Sequence, residues 1–282
     1  MILNISHMTL RSRGVEAGAR VLERVGFKPS FVHETLPNAE EKKPFLSRYL
    51  PTHALSFCRR ESGIPIELVD HFSHERSDGS TYQLLFSLAL PFSGGFPDGW
   101  PSDALGLQEI WQKAFGCSVD LAFWQPFETP YWYCQGTPQR KVLIQAALLR
   151  VQDLSRSLRF WIHGVGCHLI RQGSSEGRRW ARVAFATPLS AEPFDLVLAQ
   201  QREDKLLPHL DDPGFACVAF LTVGLEGVME RLKQEGATAF SDLFFLEVGG
   251  KTLCGRILRG PDGELIEIIE FERQKASCET HR

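Results

Sequence analysis

A glutamate stands in the middle of an apolar strand near the end of the chain. The stretch RGPDGELIEIIEF (259–271) has a Pro-Asp-Gly turn followed by strand-forming residues. Because side chains alternate between the two faces of a strand, Glu267 shares a face with Leu265, Ile269 and Phe271. A buried carboxylate must be paired, protonated, hydrated in a cavity or bound to a metal ion. Glu267 is therefore a candidate for acid–base chemistry or for metal binding.

A simpler interpretation stays open at this point. If the strand lies at the edge of a sheet, Glu267 is hydrated and needs no partner. The segment IPIELVDHF (64–72) reads as a second strand with a central glutamate, Glu67, between Pro65 and Val69 on one face. The organisation of the whole chain has to decide whether these two carboxylates belong together.

Bulk composition excludes several classes of function. The chain of 282 residues can form one large domain or two ordinary ones, and its net charge of −3 gives no reason to expect a nucleic-acid partner. We find no apolar run long enough to span a bilayer, no cleavable signal pattern, and no nucleotide-binding or serine-hydrolase motif. Seven cysteines without a C-x-x-C pair indicate reduced thiols. We therefore expect a cytoplasmic protein with no membrane partner and no nucleotide cofactor.

One order of elements, βαβββ, recurs along the chain. In the last quarter, FACVAFLTV (215–223) predicts a strand and GLEGVMERLKQEGA (224–237) a helix, and a hairpin then precedes the strand of Glu267. The first quarter has the same order, with a strand at 3–12, a helix at 14–27 and the strand of Glu67 at its end. Because the order recurs, each quarter is predicted to be one copy of a repeated module.

Two further copies lie between these. Residues 141–201 form the third module, and residues 81–135 form a degenerate second module. The turn-rich stretch QGTPQR (135–140) predicts a boundary between two domains, 1–138 and 139–282.

Four modules of this kind resemble the vicinal oxygen chelate superfamily, which includes glyoxalases, bleomycin-resistance proteins and extradiol dioxygenases. The stretches RVQDLSRSLRFW (150–161) and GPDGELIEII (260–269) are similar to the strand-to-helix turn and the closing hairpin of that family. The resemblance implies an α+β fold in which paired modules curl into half-barrels. It also implies one divalent metal ion, held by first and last strands of modules, which holds two neighbouring oxygens of a substrate.

The resemblance also assigns ligand positions to the modules. They fall, in chain order, on His7 and Glu67, on Leu85 or Phe86, on Ala146 and Asp195, and on Cys217 and Glu267. Modules one and four thus keep residues that can bind a metal, so we expect these two modules to pack together. Their combined site would be His7, Glu67, Cys217 and Glu267, and it would hold zinc, iron, manganese or nickel. If neighbouring modules pair instead, each half has an incomplete site.

Other interpretations of these residues stay open. His7, predicted on the face of Ile5 and Thr9, is equally typical of a hydrogen-bonded core residue, and Cys217 of a small apolar one. His71 and His74 follow a strand and are predicted to be hydrated loop residues.

Three functions follow from the resemblance. The first is a metal-dependent lyase or isomerase of the glyoxalase or epimerase type, in which Glu67 or Glu267 moves a proton and the metal stabilises an enediolate. The second is a metal-free protein that binds or sequesters a small molecule. An extradiol dioxygenase is least favoured, because Ala146 and Cys217 stand where that class has histidines. In each case the partner is a small molecule, and the protein is a monomer or a homodimer.

Overall fold

The computed structural model describes residues 1–72, 82–87, 104–124, 127, 129–134, 144–187, 193–201, 207–248 and 251–271. The predicted boundary at residue 138 lies outside these ranges, as does His74. The division into domains 1–138 and 139–282 therefore stays a prediction. Within the described ranges, no helix is long and apolar enough to cross a membrane.

The described residues are mostly strands. They are β1 (Ile2–Arg11), β2 (Lys28–Pro37), β3 (Thr52–Arg59), β4 (Ile66–Asp70), β5 (Tyr82–Ser87), β6 (Asp120–Trp124), β7 (Thr129–Cys134), β8 (Ile144–Val151), β9 (His168–Ser175), β10 (Arg178–Phe185), β11 (Phe194–Gln200), β12 (Phe215–Thr222), β13 (Ala239–Phe240), β14 (Phe244–Val248), β15 (Lys251–Arg259) and β16 (Leu265–Phe271). The helices are α1 (Val15–Glu23), α2 (Ala104–Phe115), α3 (Leu154–Arg159), α4 (Leu225–Gln234), a 3-10 helix (Glu40–Phe45) and a π-helical turn (Phe160–Val165) that continues α3.

Local sequence explains where these elements begin. The side chain of Asp153 accepts hydrogen bonds from the backbone N–H groups of Ser155 and Arg156, at 2.9 and 3.1 Å, and so caps the N-terminus of α3. In α4 the buried residues recur at helical spacing: Leu225, Val228, Met229 and Leu232. The βαβββ order predicted for modules one, three and four is therefore present.

Strand pairing decides which modules lie together. β1 pairs with β12 in antiparallel register, which joins modules one and four, and β5 pairs with β8, which joins modules two and three. The predicted pairing of modules one and four is confirmed. One curled sheet has the order β2-β3-β4-β1-β12-β16-β15, and the other has β6-β7-β5-β8-β11-β10-β9. The two meet where Phe215 of β12 pairs with Tyr82 of β5.

Both sheets follow one register plan. In parallel pairs, Glu67 is opposite Thr9, Glu267 is opposite Ala219, and Asp195 is opposite Ala146. His7 and Cys217 each precede the residue opposite their glutamate by two positions, so these two residues are equivalent. By the same rule, the residue of module three that is equivalent to His7 and Cys217 is Ile144 of β8. The family resemblance had assigned this ligand position to Ala146.

The second sheet fills the corresponding interior with side chains. Asp195 is buried and accepts a hydrogen bond from the Arg182 guanidinium at 2.8 Å, and that guanidinium lies over the ring of Phe115. Trp111 and Trp132 belong to the apolar cluster beside them. Arg182 thus neutralises Asp195, the carboxylate at the register position that Glu67 and Glu267 occupy in the first sheet.

Replacing Arg182 by Met tests this arrangement. We expect the variant to lose on the order of 3 kcal/mol of unfolding free energy, because the buried Asp195 carboxylate loses its cation. The double variant with Asp195→Leu should recover most of the loss. Arg20→Met, which breaks an exposed pair with Glu16, should cost less than about 0.5 kcal/mol. Urea unfolding of the four proteins measures these differences, and equal midpoints for Arg182→Met and wild type would contradict the expectation.

Candidate functional site

A bulge in β1 turns His7 toward the site. Ile5 is paired with Phe220 of β12, and His7 is paired with Ala219, the neighbour of Phe220 in that strand. Two steps along β1 thus match one step along β12, so Ser6 is an extra residue in β1. Ile5 therefore packs in the core with Met8, while His7 faces the other side of the sheet. The predicted shared face of His7 and Ile5 is wrong, because strict alternation does not hold across a bulge.

Neighbouring strands bring one histidine and two glutamates together. His7 Nε2 lies 3.3 Å from Glu67 Oε2 and 3.4 Å from Glu267 Oε2. One possible ligand atom from each residue lies within 4.8 Å of the others, and this is the one group of three such residues found in the described ranges. His7 Nε2 is buried and makes no hydrogen bond of good geometry in that part of the chain. Three of the four predicted site residues therefore converge.

Glu267 is not on an edge strand. β16 pairs with β12 on one side and with β15 on the other, and Glu267 is buried. The interpretation of a hydrated edge residue is wrong. The carboxylate needs partners, and the structure supplies them.

Lys42 is the cation that sequence analysis missed. Its Nζ lies 3.5 Å from Glu267 Oε1 and 4.6 Å from the centre of the Phe244 ring. Lys42 belongs to the 3-10 helix inside the charged insertion of module one, NAEEKKPF (38–45). An available signal was the apolar pair Phe45–Leu46 in this otherwise polar stretch, since both residues are buried and anchor the insertion.

The C-terminal half of the chain holds this insertion in place. Asp211 accepts hydrogen bonds from the backbone N–H and the hydroxyl of Ser47, at 2.7 and 2.5 Å, and from the backbone N–H of Arg48 at 3.3 Å. Because the contact spans more than 160 residues, the position of Lys42 depends on the tertiary fold.

The charges at the site stabilise one another. Burial alone would lower the pKa of His7, but the neighbouring Glu67 and Glu267 carboxylates raise it to about 10. Burial would raise the pKa of Glu267, but Lys42 and His7 lower it to about 2, and His7 likewise lowers the pKa of Glu67. Without a metal, both carboxylates are therefore ionised and His7 is protonated at neutral pH.

Cys217 lies near the site but outside the group of three. It is buried, and its thiol donates to the backbone carbonyl of Val218 at a sulfur–oxygen distance of 3.6 Å. Burial, and then the negative charges of Glu267 and Glu67, raise the pKa of this thiol well above its usual value. Cys217 is not in the described group of converging ligand atoms, and its ligation of a metal ion stays a prediction.

His71 is buried rather than hydrated. Its ring lies 5.7 Å from the ring of His53, centre to centre, and both side chains are excluded from solvent. The predicted position just past a strand is confirmed, since β4 ends at Asp70, but the predicted hydration of His71 is wrong, because its side chain is buried.

Comparison with solved structures identifies the fold. No protein-family model matches the sequence, and no curated protein matches it either. Glyoxalase I from Zea mays superposes with a TM-score of 0.58 over 95% of this chain and 92% of that chain, at 15% identity. A candidate dioxygenase from Bacillus subtilis superposes with a TM-score of 0.50 over 96% and 86%, at 9% identity. The chain has the glyoxalase fold. At these identities the likeness shows the fold and no more.

The predicted fold class, α+β with curled sheets, is thereby confirmed. The α+β fold with strand-dominated curled sheets is the fold of the glyoxalase I structures. In this glyoxalase-fold chain, the first and last strands of modules one and four carry His7, Glu67 and Glu267.

The raised pKa of His7 predicts how stability of the metal-free protein depends on pH. The ion pairs of His7 contribute fully below the unfolded pKa of about 6.5, and this contribution is lost as pH rises through about 10. Between pH 7 and 10.5, the wild type should therefore lose on the order of 3 kcal/mol more than His7→Gln does. Urea unfolding in the presence of a chelator measures this difference.

The control for this experiment is His168→Gln, since His168 is exposed on β9. Its unfolding free energy should follow that of the wild type across the range. If the His7 variant also follows the wild type, His7 is not a charged partner of the two glutamates.

Proposed function

We propose that the protein is a divalent-metal-dependent lyase or isomerase that acts on a small substrate with two neighbouring oxygen atoms. The observation that carries this proposal is the convergence of His7, Glu67 and Glu267, whose possible ligand atoms lie within 4.8 Å of one another. The glyoxalase fold supports it, because the three residues come from the first and last strands of paired modules.

The side chains present fit a divalent ion. Imidazole and carboxylate groups suit zinc, iron, manganese and nickel. The buried Nε2 of His7 lies 3.3 and 3.4 Å from carboxylate oxygens of Glu67 and Glu267 without a hydrogen bond of good geometry in the described part of the chain, so an ion could take the place of its proton among these three groups. Three protein ligands leave positions open on the ion, as catalytic sites do and structural sites do not.

The residue before His7 orients the ring. His7 Nδ1 lies 3.1 Å from the hydroxyl oxygen of Ser6. When Nδ1–H donates to that oxygen, the lone pair of Nε2 faces the two carboxylates. This is the supporting contact that a metal-binding histidine requires.

The two carboxylates are suited to different roles. Glu267 is held by both Lys42 and His7 with a pKa of about 2, which makes it a weak base and a firm anionic ligand. The Glu67 side chain is 17% exposed against 8% for Glu267, and it accepts a hydrogen bond from the Thr9 hydroxyl at 3.3 Å. We therefore assign proton transfer to Glu67, as the less firmly held of the two carboxylate ligands, and firm ligation to Glu267.

The proposed chemistry is a proton transfer next to a carbonyl group. A bound ion would polarise the substrate carbonyl and so acidify the neighbouring C–H bond. Glu67 takes the proton from that carbon and returns it to the adjacent carbon or to the other face of the same carbon. The carboxylic acid is the only temporary carrier, so no oxidant or reductant is needed.

One observation favours a second function. Lys42 and His7 already balance the charges of Glu67 and Glu267, so the site is electrostatically complete without a metal ion. A metal-free protein that binds or sequesters a small molecule would have such a site. Metal content of the purified protein, measured by elemental analysis, separates the two: about one ion per chain supports the enzyme, and none in protein that also fails to bind added zinc, manganese or nickel supports the binding protein.

Substitution of the two glutamates tests their separate roles. We expect Glu267→Gln to weaken zinc binding at least about 10-fold, because an anionic ligand is lost. Glu67→Gln should lower turnover at least about 100-fold, the lower end of what a positioned acid–base group contributes. Turnover is followed by NMR as exchange of carbon-bound protons of hydroxyacetone and glycolaldehyde with solvent deuterium.

Cys217→Ser is the matched control for this pair, since Cys217 lies near the site and outside the group of three. Its zinc affinity and exchange rate should stay within threefold of the wild type. A loss as large as that of Glu267→Gln would show that the thiolate is a ligand after all, and normal exchange by Glu67→Gln would remove the assigned base.

Lys42 competes with a metal ion for Glu267. Removing its charge with Lys42→Met should tighten zinc binding about 10-fold, because a cation 3.5 Å from the carboxylate disfavours a second cation there. Lys43→Met is the control. Lys43 follows Lys42 in the same 3-10 helix, but it pairs with exposed Glu40 and lies over the Tyr49 ring. Calorimetric titration of both variants with zinc should separate them, and equal affinities would refute the competition.

A further inference from the structure

His53 and His71 face the same interior as the proposed catalytic site. Phe57 of β3 is opposite Glu67 of β4, and its ring makes an edge-on contact with the His7 ring at 5.5 Å. Side chains alternate along each strand, so His53 lies on the face of Phe57 and His71 on the face of Glu67. The charges of Glu67 and Glu267 both act on the His53 ring.

Both rings have a nitrogen without a partner. Nδ1 of His53 and Nδ1 of His71 are buried and make no hydrogen bond in the described part of the chain. Leaving a buried polar atom unsatisfied costs about 1–3 kcal/mol. Two such atoms side by side indicate that the interior is arranged for a polar group that the protein itself does not provide.

The rings are neutral hydrogen-bonding groups. Burial, and then the charge of Lys42, lower the pKa of His53 to about 3 and that of His71 to about 4. Each imidazole therefore keeps one N–H donor and one acceptor at neutral pH. Lys42 and Arg11 are positive charges that act on the His71 ring.

Lys42 indicates the sign of the missing group. Its Nζ lies 3.5 Å from Glu267 Oε1, and its positive charge acts on both imidazole rings. A buried ammonium group favours an anionic partner, so we expect the polar group that the two rings lack to be an anion.

We propose that Lys42, His53 and His71 form a subsite for a carboxylate of the substrate, remote from its two neighbouring oxygens. The ammonium group supplies the opposite charge, and the two imidazole N–H groups donate to the carboxylate oxygens. This inference rests on the proposed function and narrows its substrate class to small acids. It also gives Lys42 a partner once an ion has taken Glu267.

Two hydroxamates test the subsite in zinc-loaded protein. A hydroxamate presents two neighbouring oxygens, and the monohydroxamate of succinic acid adds a remote carboxylate that butyric hydroxamate lacks. By calorimetric titration we expect the succinic compound to bind wild type at least about 10-fold more tightly, as one charge-assisted hydrogen bond allows. Equal affinity of the two compounds overturns the subsite.

The variants His53→Phe and His71→Phe remove the donors and keep the ring shape. Zinc affinity and binding of butyric hydroxamate should stay within threefold of wild type, while the preference for the succinic compound falls below threefold. His168→Phe, on the exposed part of β9, should keep the preference. A preference that survives in both histidine variants overturns the assignment.

Failure of the proposed function gives a different result. If wild type binds neither zinc nor butyric hydroxamate, the metal site is wrong, and the subsite is then tested with butyrate in metal-free Glu267→Gln protein, where Lys42 has lost the charged partner that it has in the wild type. Millimolar butyrate should shift the ring NMR signals of His53 and His71 and leave those of His168 unchanged. Unshifted signals overturn the subsite independently of the metal.

Discussion

Two carboxylates held side by side in the protein interior set the main constraint on this structure. Glu67 and Glu267 repel each other and are buried, so each requires a cation within a few ångströms. His7 lies between them, and Lys42 reaches Glu267 from a distant segment. The pairing of β1 with β12 and the clamp of Asp211 on the insertion both serve to hold these charges together.

The second sheet has the same strand register but only one carboxylate at the equivalent positions. Asp195 occupies the register position of Glu67 and Glu267, but the position of His7 is taken by Leu85 in module two and Ile144 in module three. The guanidinium of Arg182 neutralises Asp195, and tryptophan side chains fill the adjacent space. One carboxylate with one cation is a structural pair, whereas two carboxylates with a histidine between them can also hold a divalent ion.

The strands, the helices and the pairing of modules could be predicted from the sequence, because they depend on residue patterns within each module. Alternating apolar residues gave the strand of Glu267, helical spacing gave α4, and the uneven distribution of histidine and carboxylate among modules gave the pairing of modules one and four. The bulge at Ser6 was missed because alternation carries no sign of an extra residue. Lys42 was missed because its contact with Glu267 joins residues 225 positions apart.

The proposed metal ion would replace one cation of the site by another. In the metal-free state, Lys42 and the proton on His7 provide the positive charge that the carboxylates require. A bound ion would displace that proton and take Glu267 from Lys42, and the ammonium group would then be left beside two neutral imidazoles. An anion that joins these three groups would give Lys42 a new partner. Metal and substrate would then favour each other's binding through Lys42, with no change in the fold.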